Sequence, residues 1–366
     1  MTGHFSSPST CAAEAAPGAP RYPQPRIEEP CPCDYFIVAD LITVTASGLY
    51  CPPGDFYIDP WKPVARAVVT HAHGDHLRGG SIHYHLSAVG ESIARHRLTP
   101  EAVLHAHDYG EQFALGEATV CLLPAGHVLG SSQVRIEHAG SVWVVSGDYK
   151  RAPDPTCEPF EPTSCDVFIS EATFGLPIYR WDPSAQVVRE IFDWWQLNRA
   201  AGAASVLFLY ALGKAQRVLA ELLAFTSEPV YVHGAVATLT DLYRQLGVAM
   251  LPTLPATSAV RKSYAGALIL APPSAAGSPW ARRFGDYRSG FCSGWMRVRG
   301  DRRRRGYDRG FVLSDHADWP ALLQTCQQTA AGRILLTHGR TDALSRYLQE
   351  QGVNASALRT EFGAEE

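Results

Sequence analysis

The sequence predicts an α/β protein whose chemistry lies along the rim of a sheet. Short apolar runs rich in Val and Ile stop abruptly at polar or glycine residues, and ionisable side chains sit right behind them. Residues 65–69 lead into Thr70-His71, 142–145 into Ser146-Gly147-Asp148, and 167–169 into Ser170-Glu171. Likewise 311–313 lead into Ser314-Asp315-His316 and 334–336 into Thr337-His338. Runs of this length and composition read as buried strands. A rigid sheet that presents reactive side chains at one rim is a common way to build a site.

The middle of the chain has an α/β pattern of its own. Apolar residues Val187, Val188, Ile191, Phe192, Trp194 and Trp195 recur at helical spacing within 183–198, which predicts an amphipathic helix with its tryptophans in the core. A strand–loop–helix unit follows: strand 206–210, the loop Leu212-Gly213-Lys214-Ala215-Gln216-Arg217, then helix 218–225. Further strands are expected at 230–232 and 267–270. No repeat of fixed period is visible.

Composition narrows the class. The chain has 366 residues, 46% of them hydrophobic, enough for a large core and roughly two domains. Net charge is −4, so no global polycation points to nucleic acid, and any such argument must be local. Nine dispersed cysteines, an odd number, fit reduced thiols in a cytoplasmic protein. Cys31-Pro32-Cys33 lacks the spacing of a zinc knuckle. No run approaches the ~20 apolar residues of a membrane span, and the N-terminus has no signal-peptide pattern. Residues 1–33, rich in Pro, Ala, Ser and Thr, read as a disordered tail.

The densest chemistry is His71-Ala72-His73-Gly74-Asp75-His76, followed by Gly79-Gly80. Histidines at i and i+2 can grip one ion, and Asp75 with His76 can turn to a second. Imidazole nitrogen suits zinc, and a carboxylate suits a harder or bridging position. Core packing is a poor account of four such residues in six, because Asp is almost never buried unpaired. Two coordination spheres need more ligands. His127 between Gly126 and Gly130, Asp148 after Gly147, and His338 before Gly339 can supply them, while Asp59 can orient a ligand histidine. His105-Ala106-His107-Asp108 looks similar but has Gly110 where a further histidine is wanted, and reads as a solvated loop. His83, His85, His96 and His138 read as structural or surface residues.

With His71, His73, Asp75, His76, His127, Asp148 and His338 in this order, the sequence resembles the metallo-β-lactamase superfamily. The resemblance implies an αββα sandwich with metals at one edge of the sheets. Ser170-Glu171-Ala172-Thr173-Phe174-Gly175, Gly213-Lys214-Ala215-Gln216, Ser314-Asp315-His316-Ala317-Asp318-Trp319 and Thr337-His338-Gly339 resemble the β-CASP branch, whose members cut nucleic acids. Glu171, His316 and His338 match that branch's three extra motifs. Its cap is inserted between Glu171 and His316. The implied domains are a sandwich formed by 34–178 and 309–366, with a cap at 179–308. Gly48-Leu49-Tyr50-Cys51, residues 56–61 and Cys292-Ser293-Gly294-Trp295-Met296 are most similar to bacterial DNA-ligase-associated exonucleases. The cofactors implied are two divalent ions, zinc first and manganese second. One is assigned to His71, His73 and His127, and the other to Asp75, His76 and His338, with Asp148 between them. Asp75, Glu171 and His316 form the catalytic set.

Between Arg261 and Arg309 stand twelve basic residues against three acidic ones, a net of +9. Arg297, Arg299, Arg302, Arg303, Arg304 and Arg305 are expected to contact phosphate, since Arg fits it bidentately. Lys214, in a loop opening a helix, is a further phosphate candidate. His233 reads equally as a substrate contact or a structural residue. A small-molecule hydrolase of the same fold would not need Glu171, His316 or the arginine-rich segment. A non-catalytic relative would have lost ligands. The nearest rival is an RNase of the same branch, because a histidine at the third extra motif is the form associated with RNA-acting members. The expected partner is DNA in preference to RNA, with a DNA ligase or helicase of a repair pathway beside it, and no membrane.

Overall fold

The computed structural model describes residues 40–257, 264–298, 306–358 and Thr360. The expected tail and Cys31-Pro32-Cys33 lie outside the described residues. Everything below concerns the unit that begins at Asp40.

Three sheets carry the fold. The first has the order β1 (Thr43–Thr45), β2 (Gly48–Cys51), β3 (Phe56–Ile58), β4 (Arg66–Val68), β5 (His83–Ser87), β6 (Val103–His107). It is antiparallel up to β3 and parallel from there. The second comprises β7 (Gln112–Leu115), β8 (Ala118–Pro124), β9 (Ser132–His138), β10 (Ser141–Val145), β11 (Val167–Ala172), β18 (Arg333–Gly339) and β19 (Ala355–Ala357), ordered β19-β18-β11-β10-β9-β8-β7. The third is wholly parallel: β14 (Thr253–Pro255), β13 (Val230–Val232), β15 (Leu268–Ala271), β12 (Ser205–Phe208), β16 (Arg288–Cys292), β17 (Arg309–Phe311).

The two-residue period of each strand sorts its side chains between layers. Val68 of β4 joins a core that also holds Ile58, Val120, Ile136, Val145, Ile169 and Leu335, so the first two sheets face each other. Ala67 and Val69 point the other way, into a core with Ile93 and Ala94 of α1 (Glu91–Arg97). On the far side of the second sheet, Ile334 and Leu336 pack with Leu322 of α6 (Trp319–Gln328) and Leu344 and Leu348 of α7 (Thr341–Glu350). The layers therefore run helix, sheet, sheet, helix. Strands buried on both faces must be apolar throughout, which is why their sequences read as continuous runs.

Helix α2 (Ser184–Ala200) starts after Pro183 and buries Val187, Val188, Ile191, Trp194 and Trp195. The Trp195 indole donates to the Gly266 carbonyl at 2.9 Å, so these tryptophans are core residues. Helices α3 (Lys214–Glu221) and α4 (Gly234–Gln245) cover the third sheet, with α5 (Pro279–Arg282) short and peripheral. Leu207, Leu268 and Leu270 of the third sheet share one apolar core with Ala67, Tyr84 and Leu86 of the first. That third sheet takes its last strand, Arg309–Phe311, from just beyond residue 308, because Phe311 pairs with Cys292 and packs on Trp194. Residues 105–107 form part of β6, not a solvated loop: parallel pairing sets His85 opposite His105, the His85 imidazole stacks with those of His105 and His107, and His85 and His107 stack with Phe113. Among the described residues, no helix is long and apolar enough to cross a membrane, and Cys51, Cys121, Cys157, Cys165, Cys292 and Cys326 are free thiols.

Candidate active site

The loop after β4 is held from below by one carboxylate. Asp59 accepts from the Thr70 amide at 2.8 Å and the Thr70 hydroxyl at 2.6 Å, and lies 2.7 Å from His76 Nδ1. That contact leaves His76 Nε2 directed at the site. The amides of His76 and Leu77 donate to the His73 carbonyl, folding the loop back so that Asp75 and His76 follow His71 and His73 round one centre. Gly147 permits the opposing loop to approach: its φ is +55°, and a Cβ there would lie 2.6 Å from Thr70 Cβ. Asp148 is thereby brought against the histidines.

Their ligand atoms converge. His73 Nδ1 is 3.0 Å from both His71 Nε2 and His127 Nε2. Asp148 Oδ2 lies 3.5 Å from His71 Nε2, 3.4 Å from His76 Nε2 and 3.6 Å from His127 Nε2. The distal nitrogens of two ligands are fixed by carbonyls: His73 Nε2 faces Leu212 O at 3.2 Å, and His127 Nδ1 faces Asp315 O at 2.7 Å. Burial, followed by the neighbouring imidazoles, holds His71 and His127 well below the usual histidine range, so both are neutral donors. Burial also opposes charge on His76, but Asp148 and Asp59 outweigh it and hold its pKa well above the ordinary value. Nitrogens 2.0–2.1 Å from a tetrahedral zinc stand about 3.3 Å apart. The donor set His71, His73, His127 and Asp148 fits a metal on chemistry and spacing, with all four ligand atoms within 4.8 Å of one another.

On the other side, the His76 and His338 rings stack at 5.3 Å, and Asp75 Oδ2 lies 3.7 Å from His76 Nε2. His338 adopts φ +57° within β18, opposite the irregular register at Glu171/Ala172. Glu171 and His338 therefore lie inside strands, not past their ends. Glu171 is fully buried; it accepts from the Tyr149 amide at 2.7 Å and the Thr173 hydroxyl at 2.5 Å, and its Oε2 is 2.9 Å from His316 Nδ1. Burial works against a charged His316, but Glu171 and then Asp148 raise its pKa to about 9. His73, Asp75, His127, Asp148, His316 and His338 all line one cavity of about 760 Å³.

The expected phosphate contacts fare differently. Lys214 lines this cavity, but it is 3% exposed and its ammonium is matched by Asp315 at 2.9 Å. Its charge is engaged inside the protein and is not a free anion clamp. Arg297 faces a separate surface cleft and pairs with Asp182 at 3.3 Å, because its turn directs it away from the metal ligands while Trp295 takes the cavity side. Arg299, Arg302, Arg303, Arg304 and Arg305 lie outside the described residues. His233 caps α4 by accepting from the Ala235 amide at 3.1 Å and packs on Trp280, a structural role.

Sequence reasoning missed a buried charge network. Arg217 meets Asp315 at 3.5 Å, Asp154 at 3.4 Å and Glu221 at 2.9 Å, and Lys150 meets Asp154 at 2.6 Å. Arg217 also donates to the Ser314 carbonyl at 2.8 Å. Asp315 and Arg217 stood inside the motifs quoted above, but nothing in their spacing announces that they meet.

No family profile matches the chain. It is 33% identical over 316 residues to a probable DNA ligase of Opitutus terrae, an alignment covering 85% of this chain and 30% of that protein. It is 30% identical over 128 residues to Ribonuclease TTHA0252 of Thermus thermophilus, covering 35% of this chain and 27% of that one. Endoribonuclease YSH1 of Kluyveromyces lactis is 32% identical over 114 residues, covering 31% and 15%. The chain thus spans less than a third of the length of each of these relatives. A solved structure described as a protein of unknown function from Enterococcus faecalis V583 superposes with a TM-score of 0.55 at 13% identity, covering 81% of this chain and 80% of that one. At that identity the likeness concerns the fold alone.

Proposed function

We infer that this chain, a member of the β-CASP branch of the metallo-β-lactamase superfamily, is a two-metal nuclease, with DNA as its substrate and exonucleolytic repair as its setting. The observation that carries the reading is Asp148: one carboxylate oxygen stands within 3.6 Å of His71, His76 and His127, between the two proposed ligand sets. Of the expected domains, the described residues up to 178 and those after Phe311 would form the sandwich, and the segment from 179 to 311 the cap, because Arg309–Phe311 completes the third sheet. His71, His73 and His127 would hold one divalent ion and Asp75, His76 and His338 the other, zinc first and manganese second. Such ions lower the pKa of bound water from 15.7 to roughly 7 and neutralise charge developing on phosphate.

The chain's own groups do the rest. Asp59 and the carbonyls of Leu212 and Asp315 orient the ligand imidazoles. Glu171 holds the Nδ1 proton of His316, which keeps that imidazole protonated and in place as the acid for the departing oxygen. The probable DNA ligase among the relatives supports DNA and a ligase partner, while the two ribonucleases support RNA as the second reading. End-labelled single strands of DNA and RNA of one sequence, incubated with zinc or manganese, separate them. A ladder of products from one end of DNA, lost in Asp75→Ala, is expected. Cleavage of RNA alone would overturn the substrate assignment, and full activity with unchanged metal content in Asp75→Ala would overturn the ligand assignment.

A further inference from the structure

We propose that Arg97 and Tyr210 form a nucleotide subsite beside the metal centre: the Arg97 guanidinium holds a substrate phosphate and the Tyr210 ring stacks on a base. This rests on the nuclease reading above and adds residues to it. Arg97 is the last residue of α1, a helix end where the dipole favours a cation. It lines the same cavity as the metal ligands. Its Nη2 lies only 3.3 Å from where a Cβ on Gly74 would stand, so the guanidinium rests over the glycine between His73 and Asp75. A side chain at 74 would crowd it aside.

Its guanidinium sits in no ion pair with a described residue, although the Asp75 carboxylate acts on its charge from farther off. Among the described residues, no carboxylate falls within 4.0 Å of the Arg97 guanidinium. Arg95, two residues earlier, pairs with Glu91 and donates to the Ala102 carbonyl instead. Among the described residues, the other lysine or arginine lining this cavity, Lys214, is paired with Asp315. A phosphate arriving at Asp75 and His73 therefore meets one available guanidinium, which offers a planar, bidentate fork.

Tyr210 supplies the second half. It leaves β12 two residues before Leu212, whose carbonyl faces His73. Its ring is 6.5 Å from the His73 ring, and the residue is 51% exposed within the cavity. The Lys214 ammonium covers one face of the ring at 4.9 Å from its centroid, which leaves the other face for a base. An aromatic ring and an arginine lining one cavity are the pairing that single-stranded nucleic acid recognition uses, because every base has a π-face to stack. Such a ring tolerates any base and reads none.

The test uses the full chain and a short fluorescein-labelled oligothymidylate. Its affinity is measured by anisotropy in EDTA and its hydrolysis with metal present. Arg97→Gln should weaken binding roughly tenfold or more, the range of a charge-assisted hydrogen bond, and reduce the slope of log K against log salt by about 0.7. KM should rise with kcat and metal content held. Arg97→Lys should restore the salt slope but not the full affinity. Tyr210→Ala should weaken binding roughly 5- to 150-fold, the span of base stacking, while Tyr210→Phe should not. An oligonucleotide with and without a 5′-phosphate distinguishes the phosphate held: equal loss assigns Arg97 to an internal phosphodiester, and loss confined to the phosphorylated strand assigns it to the terminus. Wild-type cleavage with Arg97→Gln unchanged in affinity and salt slope overturns the subsite. A wild-type protein that neither binds nor cleaves overturns the nuclease reading beneath it.

Discussion

Replacing Asp315 by Asn removes one negative charge from a largely buried network at the wall of the cavity. Asp315 is 2% exposed, Arg217 2% and Lys214 3%. The network balances Lys150, Lys214 and Arg217 against Asp154, Glu221 and Asp315. Asn keeps the volume but leaves a net positive charge buried, and breaking a buried pair in this way costs about 3–5 kcal/mol. Burial opposes ionisation of Asp315, yet Lys214 and then Arg217 hold its carboxyl well below the usual range. A depressed folded pKa gives stability that is fully present above the unfolded value of about 3.9 and is lost as pH falls toward the folded one. Urea unfolding of wild type and Asp315→Asn should therefore differ by about 3–5 kcal/mol at neutral pH and converge in acid. Replacing both partners, as in Lys214→Met with Asp315→Leu, should recover much of the loss, because no charge is then stranded. A neutral-pH difference under about 0.5 kcal/mol, the scatter of ordinary surface changes, would refute the claim that these charges depend on one another.

Three further outcomes follow from the same geometry. Asp59→Ala removes the carboxylate beside His76 Nδ1 and should weaken metal binding about 10- to 100-fold by competition with a chelator; unchanged affinity would remove Asp59 from the centre. Gly147→Ala imposes φ +55° on a residue with a Cβ and sets that carbon 2.6 Å from Thr70, so thermal unfolding should show a loss of at least about 1–2 kcal/mol. Glu171→Gln deletes the main group raising His316, so the alkaline limb of the pH–rate profile should move to lower pH; an unmoved limb would mean that His316 is not the acid.

What could be read from the sequence was what lies close along it. His71 to His76 advertise themselves because six residues hold four ligand side chains, and Asp59 because it closes the strand next to theirs. Asp148 and His338 were visible through the glycines beside them, although His338 proved to lie inside β18, where the bulge opposite Glu171 turns it inward. The ion pair of Lys214 was hidden for the opposite reason. Its partner Asp315 is 101 positions away, and only the packing of α3 against the second half of the sandwich brings the two together. Arg97 left no signal, since a cation at a helix end is ordinary until the loop it covers is known. His105 and His107 were read as a loop because a strand at a sheet edge can carry polar residues at alternate positions, and pairing with β5 is what reveals it as one.

The central claim is that two ions share this centre through Asp148. Elemental analysis of the full chain after saturation with zinc and removal of free metal, alongside hydrolysis of a labelled single strand, tests it most directly. The expected result is two ions per chain with activity, falling in Asp148→Asn to fewer ions with activity lost. A wild-type chain that binds at most one ion, or an Asp148→Asn chain that keeps both ions and full activity, would contradict it.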